Sequence, residues 1–344
     1  MKLSIIIPVF NEIDYLERFT ERLIATFNNE NVEYIIINDG STDGSTQWLE
    51  KYKENYESKN HKNKLLLINL KKNVGKGFAL KTGLESASGD YVLFQDSDLE
   101  LDPKDSIEMY RLIKNNSEMN VLFGSRFISG KLRANRYFIN EVFVKLNSII
   151  FNFLFLQSIT DLHCGTKIIS KEVIDKIKLK INDFGFEIDI ASQIVKNNFK
   201  IYEYGISYFS RSKSEGKKIT WIDGILCYYY LFKVRFIDNE ISVLLSIIYS
   251  VIYMAYVGSY FSLGLGKVIV VMIFSIIGSF IGLYKKLFSS SIVFLFIYFG
   301  SLFSNGNGKI YTVVFGFILG MYLSKILSSK IKKTTNIKFI NFFV

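Results

Sequence analysis

The segment Asp96-Ser97-Asp98-Leu99-Glu100 places three carboxylates at alternate positions directly after an apolar run, 91–95. Clustered carboxylates repel one another, and a fold keeps them together at a strand end mainly where a cation compensates. A hard divalent ion held by one or two carboxylates plus diphosphate oxygens is the usual magnesium arrangement. A solvated acidic turn with Asp102 as a helix N-cap is the plainer account of the same residues. Two more apolar runs end in the same way: 34–37 leads into Asn38-Asp39-Gly40-Ser41-Thr42-Asp43-Gly44, and 3–7 leads into Pro8-Val9-Phe10-Asn11-Glu12. Each alone is explained by turn chemistry and helix capping. Three such ends side by side form a polar crevice in which a nucleotide fits. Gly75-Lys76-Gly77 lacks the full Walker spacing and reads as a helix start, with Lys76 within reach of a phosphate.

The elements that must position these residues alternate. Runs 3–7, 34–37, 65–69, 91–95 and 121–124 are apolar and β-rich, as buried parallel strands are, and amphipathic stretches 15–27, 46–56, 77–86 and 104–114 separate them. This rhythm predicts a doubly wound α/β domain with its ligands beyond the carboxyl ends of the strands.

Composition sets the rest of the chain apart. Of 344 residues 49% are hydrophobic and the mean hydropathy is +0.21, with the apolar excess concentrated in the last third. The net charge of +10 is equally uneven: from Lys233 onward there are 11 Lys/Arg against 2 Asp/Glu, leaving 31 against 30 before it. Basic residues flanking apolar segments point to a membrane and anionic lipid, and this distribution argues against nucleic acid. Segments 241–263, 268–284, 287–303 and 310–327 each approach the roughly 20 residues that span a bilayer. The second and third are short enough to form a re-entrant pair. Lys233, Arg235, Lys285, Lys286, Lys330, Lys332 and Lys333 put both termini and the N-terminal domain on the cytoplasmic side of a multi-pass inner-membrane protein. Residues 219–236, rich in Trp, Tyr and Phe, suit a helix in the membrane interface, or one packed on the preceding domain. The expected organisation is therefore 1–218 catalytic, 219–237 interfacial, 238–330 a four-helix membrane domain and 331–344 a basic tail. Two cysteines and two histidines lack zinc-site or disulfide-framework spacing, and the run 3–7 is too short for a signal peptide.

In family order, the sequence resembles glycosyltransferase family 2, particularly its dolichyl-phosphate mannose synthase and bactoprenol glucosyltransferase branch. The matching stretches are those named above together with Asn73-Val74-Gly75-Lys76-Gly77, Gly124-Ser125-Arg126, Asp161-Leu162-His163-Cys164-Gly165-Thr166-Lys167, Phe186-Glu187-Ile188-Asp189, and Arg211 followed by Glu215-Gly216-Lys217-Lys218. The resemblance implies a GT-A fold, a Rossmann-like nucleotide-diphospho-sugar transferase domain, followed by transmembrane helices. It assigns Pro8, Phe10, Glu12, Asp39, Lys76, Asp96 and Ser97 to the donor, and Asp96, Asp98 and Glu100 to Mg²⁺ or Mn²⁺. Arg126, Arg133, Arg136 and Arg211 would meet an acceptor phosphate, so that Asp98, Arg126 and Arg211 carry catalysis. Glu187 and Asp189 fall on the acceptor side, sharing one face only if their segment is a strand. Asn38 stands where an Asp is common, and the spacing from Arg211 to Lys218 departs from the mannose-synthase pattern, which leaves the roles of Lys217 and Lys218 open.

The implied reaction moves a hexose from GDP-mannose or UDP-glucose onto polyprenyl phosphate, undecaprenyl or dolichyl, with inversion at C1. A phosphate monoester is largely ionised at neutral pH, its second pKa being about 6, so it needs little general-base help. It does need arginine, whose planar fork orients phosphate and offsets the repulsion between two anions. His163 accordingly reads as structural. Two alternatives stay open: a family 2 enzyme acting on a lipid-linked saccharide or polysaccharide, and a non-enzymatic scaffold or flippase. The membrane segments could also provide an oligomer contact.

Overall fold

The computed structural model describes residues 1–237 except 60, 117, 129, 135–136 and 213–220, and beyond them residue 251 alone. Arg136, Lys217, Lys218, the four apolar segments apart from residue 251, and the basic tail lie outside the described residues. The chain divides into two compact units, Met1–Val234 and Arg235–Val344.

The first unit is built on a seven-stranded mixed sheet of order β3-β2-β1-β4-β7-β5-β8. Its strands are β1 Leu3–Val9, β2 Val32–Asn38, β3 Lys64–Asn69, β4 Tyr91–Phe94, β5 Val121–Ser125, β7 Lys167–Ser170 and β8 Tyr202–Gly205. All five sequence-based strands are present and run parallel to one another; β7, which the apolar pattern did not single out, inserts antiparallel between β4 and β5. A small second sheet pairs β6, Arg133–Ala134, with β9, Tyr208–Phe209.

Alternation along the strands divides the core in two. From β1, Ile6 faces one layer and Leu3, Ile5, Ile7 and Val9 the other; from β2, Ile35 and Ile37 oppose Tyr34 and Ile36. The second layer is closed by α1 (Ile13–Phe27), α2 (Ser45–Ser58) and α4 (Pro103–Lys114). Helix α1 buries Leu16, Phe19, Leu23 and Phe27, one stripe at helical spacing. Each such side chain contributes about 2 kcal/mol on burial. Asp102 caps α4, accepting from the Lys104 amide at 3.0 Å, with Pro103 in the first turn. The opposite layer is covered by α3 (Lys76–Ser86), α5 (Phe138–Phe155), α7 (Phe186–Lys196) and α8 (Trp221–Phe232); a short helix α6, Lys171–Lys176, follows β7. The segment around Glu187 and Asp189 is thus helical, the first turn of α7.

Candidate active site

The carboxyl ends of β1, β2 and β4 lie side by side, and the loops that follow are laced together. Asn11 accepts from the Thr42 amide at 2.7 Å, the Glu12 amide donates to Ser45 at 3.1 Å, and the Ile13 amide donates to Asp43 at 3.0 Å. Asp39 is buried, and its two oxygens accept from the amides of Val74 (2.8 Å) and Gly75 (2.9 Å). In this structure Asp39 therefore shapes the loop before α3. Gly75 has φ +115, and a side chain there would meet the Asn182 carbonyl at 2.6 Å, so only glycine fits. Pro8 and Phe10 are half-buried; the Pro8 carbonyl accepts from Ser97 Oγ at 3.0 Å, which ties β1 to the acidic turn.

Within that turn each carboxylate already has a cationic or amide partner. Asp96 lies 2.7 Å from Lys76 Nζ; Asp98 lies 3.3 Å from Arg211 and accepts from the Glu100 amide at 3.1 Å; Glu100 accepts from the Arg211 amide at 2.9 Å. Arg211 also reaches Glu12 at 2.8 Å. The Asp96, Asp98 and Glu100 trio expected for a metal is consequently not drawn together into a cage. Among the described residues no group of three or more His, Cys, Asp or Glu side chains is arranged to hold an ion. The charge balance nevertheless fits a divalent cation. Glu12, Asp96, Asp98, Glu100 and Glu187 oppose Lys76, Lys167 and Arg211, an excess of two negative charges when all five carboxyls are ionised. Burial, with Asp96 and Glu100 close by, pushes Asp98 up to about 7 despite Arg211. Burial and the neighbouring carboxylates both disfavour its charge, which an added cation would offset, and one or two carboxylates are all that a metal shared with a diphosphate requires.

Arg211 owes its place to the second sheet and its surroundings. The Phe209 amide donates to the Glu100 carbonyl at 2.9 Å, and the Ser210 amide to the Ala134 carbonyl at 3.0 Å, so the end of β9 is pinned against the acidic turn. Arg126, at the end of β5, makes a two-pronged pair with the fully buried Asp161, at 2.7 and 2.8 Å, and lies 5.1 Å from the Tyr208 ring. One edge of its guanidinium is thereby fixed. Arg133 contacts Glu141 at 3.4 Å and faces the Phe127 ring at 4.9 Å. The four arginines expected at an acceptor phosphate are thus represented by three described residues, two of them tightly paired with carboxylates.

The neighbours in the Asp161–Lys167 segment are held out of chemistry. Burial pushes the Cys164 thiol up to about 12, and burial together with Arg126, Lys167 and Lys76 brings His163 down to about 4 despite Asp161. His163 is neutral at physiological pH, and Cys164 is no nucleophile. Gly165 packs directly on the Asp96 carboxylate, leaving no room for a side chain. Asp189 is buried, accepting from the amides of Lys180 and Ile181, and so holds the loop before α7. Sequence reasoning used the stretch from Asp161 to Lys167 for the resemblance but gave Asp161, Gly165 and Lys167 no role in the site. A lysine opening the apolar strand Lys167-Ile168-Ile169-Ser170 was the available signal, because a buried ammonium needs an anion.

An α/β sheet with an acidic turn facing cationic side chains at its strand ends is a site suited to an anionic ligand and a cation, and the family match gives the class. Residues 4–178 match the model of glycosyl transferase family 2, and the chain belongs to that family. It is 29% identical over 232 residues to a dolichyl-phosphate beta-glucosyltransferase of Dictyostelium discoideum, covering 63% of this chain and 68% of that one. It is 28% identical over 220 residues to a dolichol-phosphate mannosyltransferase of Pyrococcus furiosus, covering 63% and 59%. An undecaprenyl-phosphate 4-deoxy-4-formamido-L-arabinose transferase of Photorhabdus laumondii is 32% identical over 153 residues, 44% of this chain and 42% of that one. The fold also resembles glucosyl-3-phosphoglycerate synthase of Mycobacterium tuberculosis, with TM-score 0.53 and 16% identity over 68% of this chain and 80% of that one. A crystal structure of that enzyme with Mn²⁺, UDP and glucosyl-3-phosphoglycerate gives TM-score 0.52 and 17% identity over the same shares.

Proposed function

We propose that this glycosyltransferase moves a hexose from a nucleotide-sugar, GDP-mannose or UDP-glucose, onto polyprenyl phosphate at the cytoplasmic face of a membrane. The observation that carries this reading is where the arginines sit. Arg126 and Arg133 adjoin α5 through Phe127, Glu141 and Lys145. The outward stripe of α5 is apolar: Phe138 (81% exposed), Ile139, Val142, Leu146 and Ile149, while Asn147, Ser148, Phe151 and Phe155 bury its other face. By length and composition α5 would suffice to cross a membrane, yet it packs by that second face on the domain. Helix α8 repeats the pattern: Ile225, Leu226, Tyr229 and Phe232 are exposed, and Cys227 and Leu231 are buried in the core. Two apolar stripes beside phosphate-type arginines suit a domain resting on lipid whose acceptor is a lipid phosphate. The multi-pass anchor expected from 241–327 belongs to the same reading, as does any self-association through it.

The chemistry follows from the side chains. An oxygen of the ionised lipid phosphate attacks the sugar C1 from the face opposite the departing group. The new C1–O bond forms as the bond to the donor diphosphate breaks, and its electron pair leaves on the nucleotide diphosphate. An α-linked donor then gives a β-linked product, and no proton transfer is required. Asp98 and Asp96 would hold Mg²⁺ or Mn²⁺, which supplies positive charge to the leaving diphosphate. Lys76 adds a second cation on the donor side, and Arg126 and Arg211 orient the acceptor phosphate. Arg211 must let go of Glu12 and Asp98 to do so.

The test uses full-length protein in micelles with Mg²⁺, undecaprenyl or dolichyl phosphate and a panel of labelled nucleotide-sugars. A labelled glycolipid is expected with one donor. No product with any common donor refutes the proposal.

A further inference from the structure

Beyond the acidic turn one buried ionic group is left without a role. Lys167 opens β7 in register with Phe94 and Phe123 and is fully buried. Its ammonium donates to the Cys164 carbonyl and to Glu187, and it lies 4.9 Å from the Phe123 ring. Glu187, in the first turn of α7, is 5% exposed, and its other oxygen lies 3.3 Å from Lys76. Lys76 in turn holds Asp96 at 2.7 Å. Four charges thus alternate in sign from the centre of the sheet to the acidic turn: Lys167, Glu187, Lys76, Asp96.

A buried Lys–Glu pair that served stability alone would be closed on itself, since such pairs add little over apolar residues of the same shape. This one is open: Glu187 divides its carboxylate between the buried lysine and the lysine at the acidic turn. Its position is also fixed independently. The Phe78 amide at the start of α3 donates to the Asn182 carbonyl at 2.9 Å, and Lys81 donates to the Asn182 side chain. One residue further, Asp183 accepts from the Gly185 amide at 2.8 Å and from the Tyr230 hydroxyl. Segment 181–185 therefore staples the start of α3, which carries Lys76, to the start of α7, which carries Glu187. The two side chains cannot drift apart without breaking that staple. The family resemblance put Glu187 on the acceptor side; its contacts are with Lys167 and with Lys76, which the same resemblance assigns to the donor.

We infer that Glu187 is a positioning residue of the donor site: by bridging Lys167 and Lys76 it holds the Lys76 ammonium beside Asp96 without surrendering the whole of that charge to it. Asp96 then keeps negative charge for a divalent cation on the donor diphosphate, and Lys76 stays aimed where the phosphates sit. With Glu187 neutral, Lys76 would collapse onto Asp96 alone and compete with the metal. The inference rests on the transferase reading above.

The test is metal binding, not turnover. Full-length protein in micelles is titrated with Mn²⁺ in the presence of UDP and, in parallel, of GDP, by calorimetry or by the Mn²⁺ resonance signal. For the nucleotide that the wild-type protein binds, E187Q is expected to weaken Mn²⁺ about tenfold or more, the scale on which the loss of a metal ligand's outer partner acts. E187D should recover most of the affinity. In a K76M background, E187Q should add less than about twofold, because the effect passes through Lys76. If E187Q does not fold, K167M/E187Q removes both buried charges together and must show the same loss. Wild-type Mn²⁺ affinity in E187Q or in K167M/E187Q, or an undiminished loss in the K76M background, overturns the inference. A wild-type protein that binds neither nucleotide in a Mn²⁺-dependent way overturns the transferase reading itself, and this inference with it.

Discussion

Replacing Asp98 by Asn separates two consequences of one buried carboxylate, its cost to the metal-free fold and its value to the donor site. Burial, with Asp96 and Glu100 nearby, raises this carboxyl from 3.8 to about 7, with Arg211 only partly offsetting the rise. A raised acid pKa means that the folded state binds the proton more tightly than the unfolded chain. Stability is therefore lost as pH climbs from 3.8 through about 7. Over that window ionised Asp98 costs the metal-free protein progressively more, on the order of a few kcal/mol by pH 8 and less at pH 5. The cost is an upper bound, because the side chain is 23% exposed and can turn towards water. D98N is isosteric and cannot ionise. In chelator, its melting temperature should exceed that of the wild type, and the gap should widen by several degrees between pH 5 and pH 8. Adding Mn²⁺ with the cognate nucleotide should then stabilise the wild type and leave D98N unmoved. Melting curves of both proteins at the two pH values, with and without metal and nucleotide, read all of this. A D98N protein that melts at or below the wild type at pH 8, or a gap that does not change with pH, refutes the reasoning.

Other expectations follow from single contacts. Against burial, which raises it, hydrogen bonds from Lys2, Ser4 and Ser88 bring Glu33 down to about 2. A lowered acid pKa stabilises above the ordinary carboxylate range and is lost as pH falls from 4.5 towards 2. E33Q should therefore cost about 3 kcal/mol at pH 7 and no more than about 1 kcal/mol at pH 2.5, by chemical denaturation at each pH. R126A leaves the fully buried Asp161 unpaired and should destabilise by about 3–5 kcal/mol in thermal melts. R126K keeps the charge but loses the fork, so kcat/KM for the lipid acceptor should fall about 100-fold with a smaller loss of stability. G165A forces a methyl group against the Asp96 carboxylate and should weaken Mn²⁺–nucleotide binding about tenfold, measured by titration. Replacing Phe138 and Ile149 with Ser on the exposed stripe of α5 should release residues 1–234 from anionic vesicles in a flotation assay while leaving the melting temperature within about 2 °C.

Strand and helix positions in the first half of the chain were legible because each element carries its own periodicity. The runs that became β1 to β5 are apolar on both faces, and α1, α2, α3 and α4 have turn formers or caps at their starts. The acidic turn was legible for the same local reason: carboxylates at alternate positions after a buried strand demand a compensating charge wherever the rest of the chain goes. Strand β7 was not, since four residues beginning with Lys and ending with Ser carry no readable pattern, and its antiparallel insertion between β4 and β5 is decided by pairing with residues more than forty positions away. Nor could the face of Glu187 be read, because the same four residues serve a strand or a helix equally well. What the sequence determined by itself is the inventory of charged groups and the order of the elements that carry them. Which cation each anion meets was decided only by tertiary structure. Arg211 finds Glu12 across 199 positions, and Lys76 finds Glu187 across 111, and no local pattern encodes a Coulombic pairing at that separation.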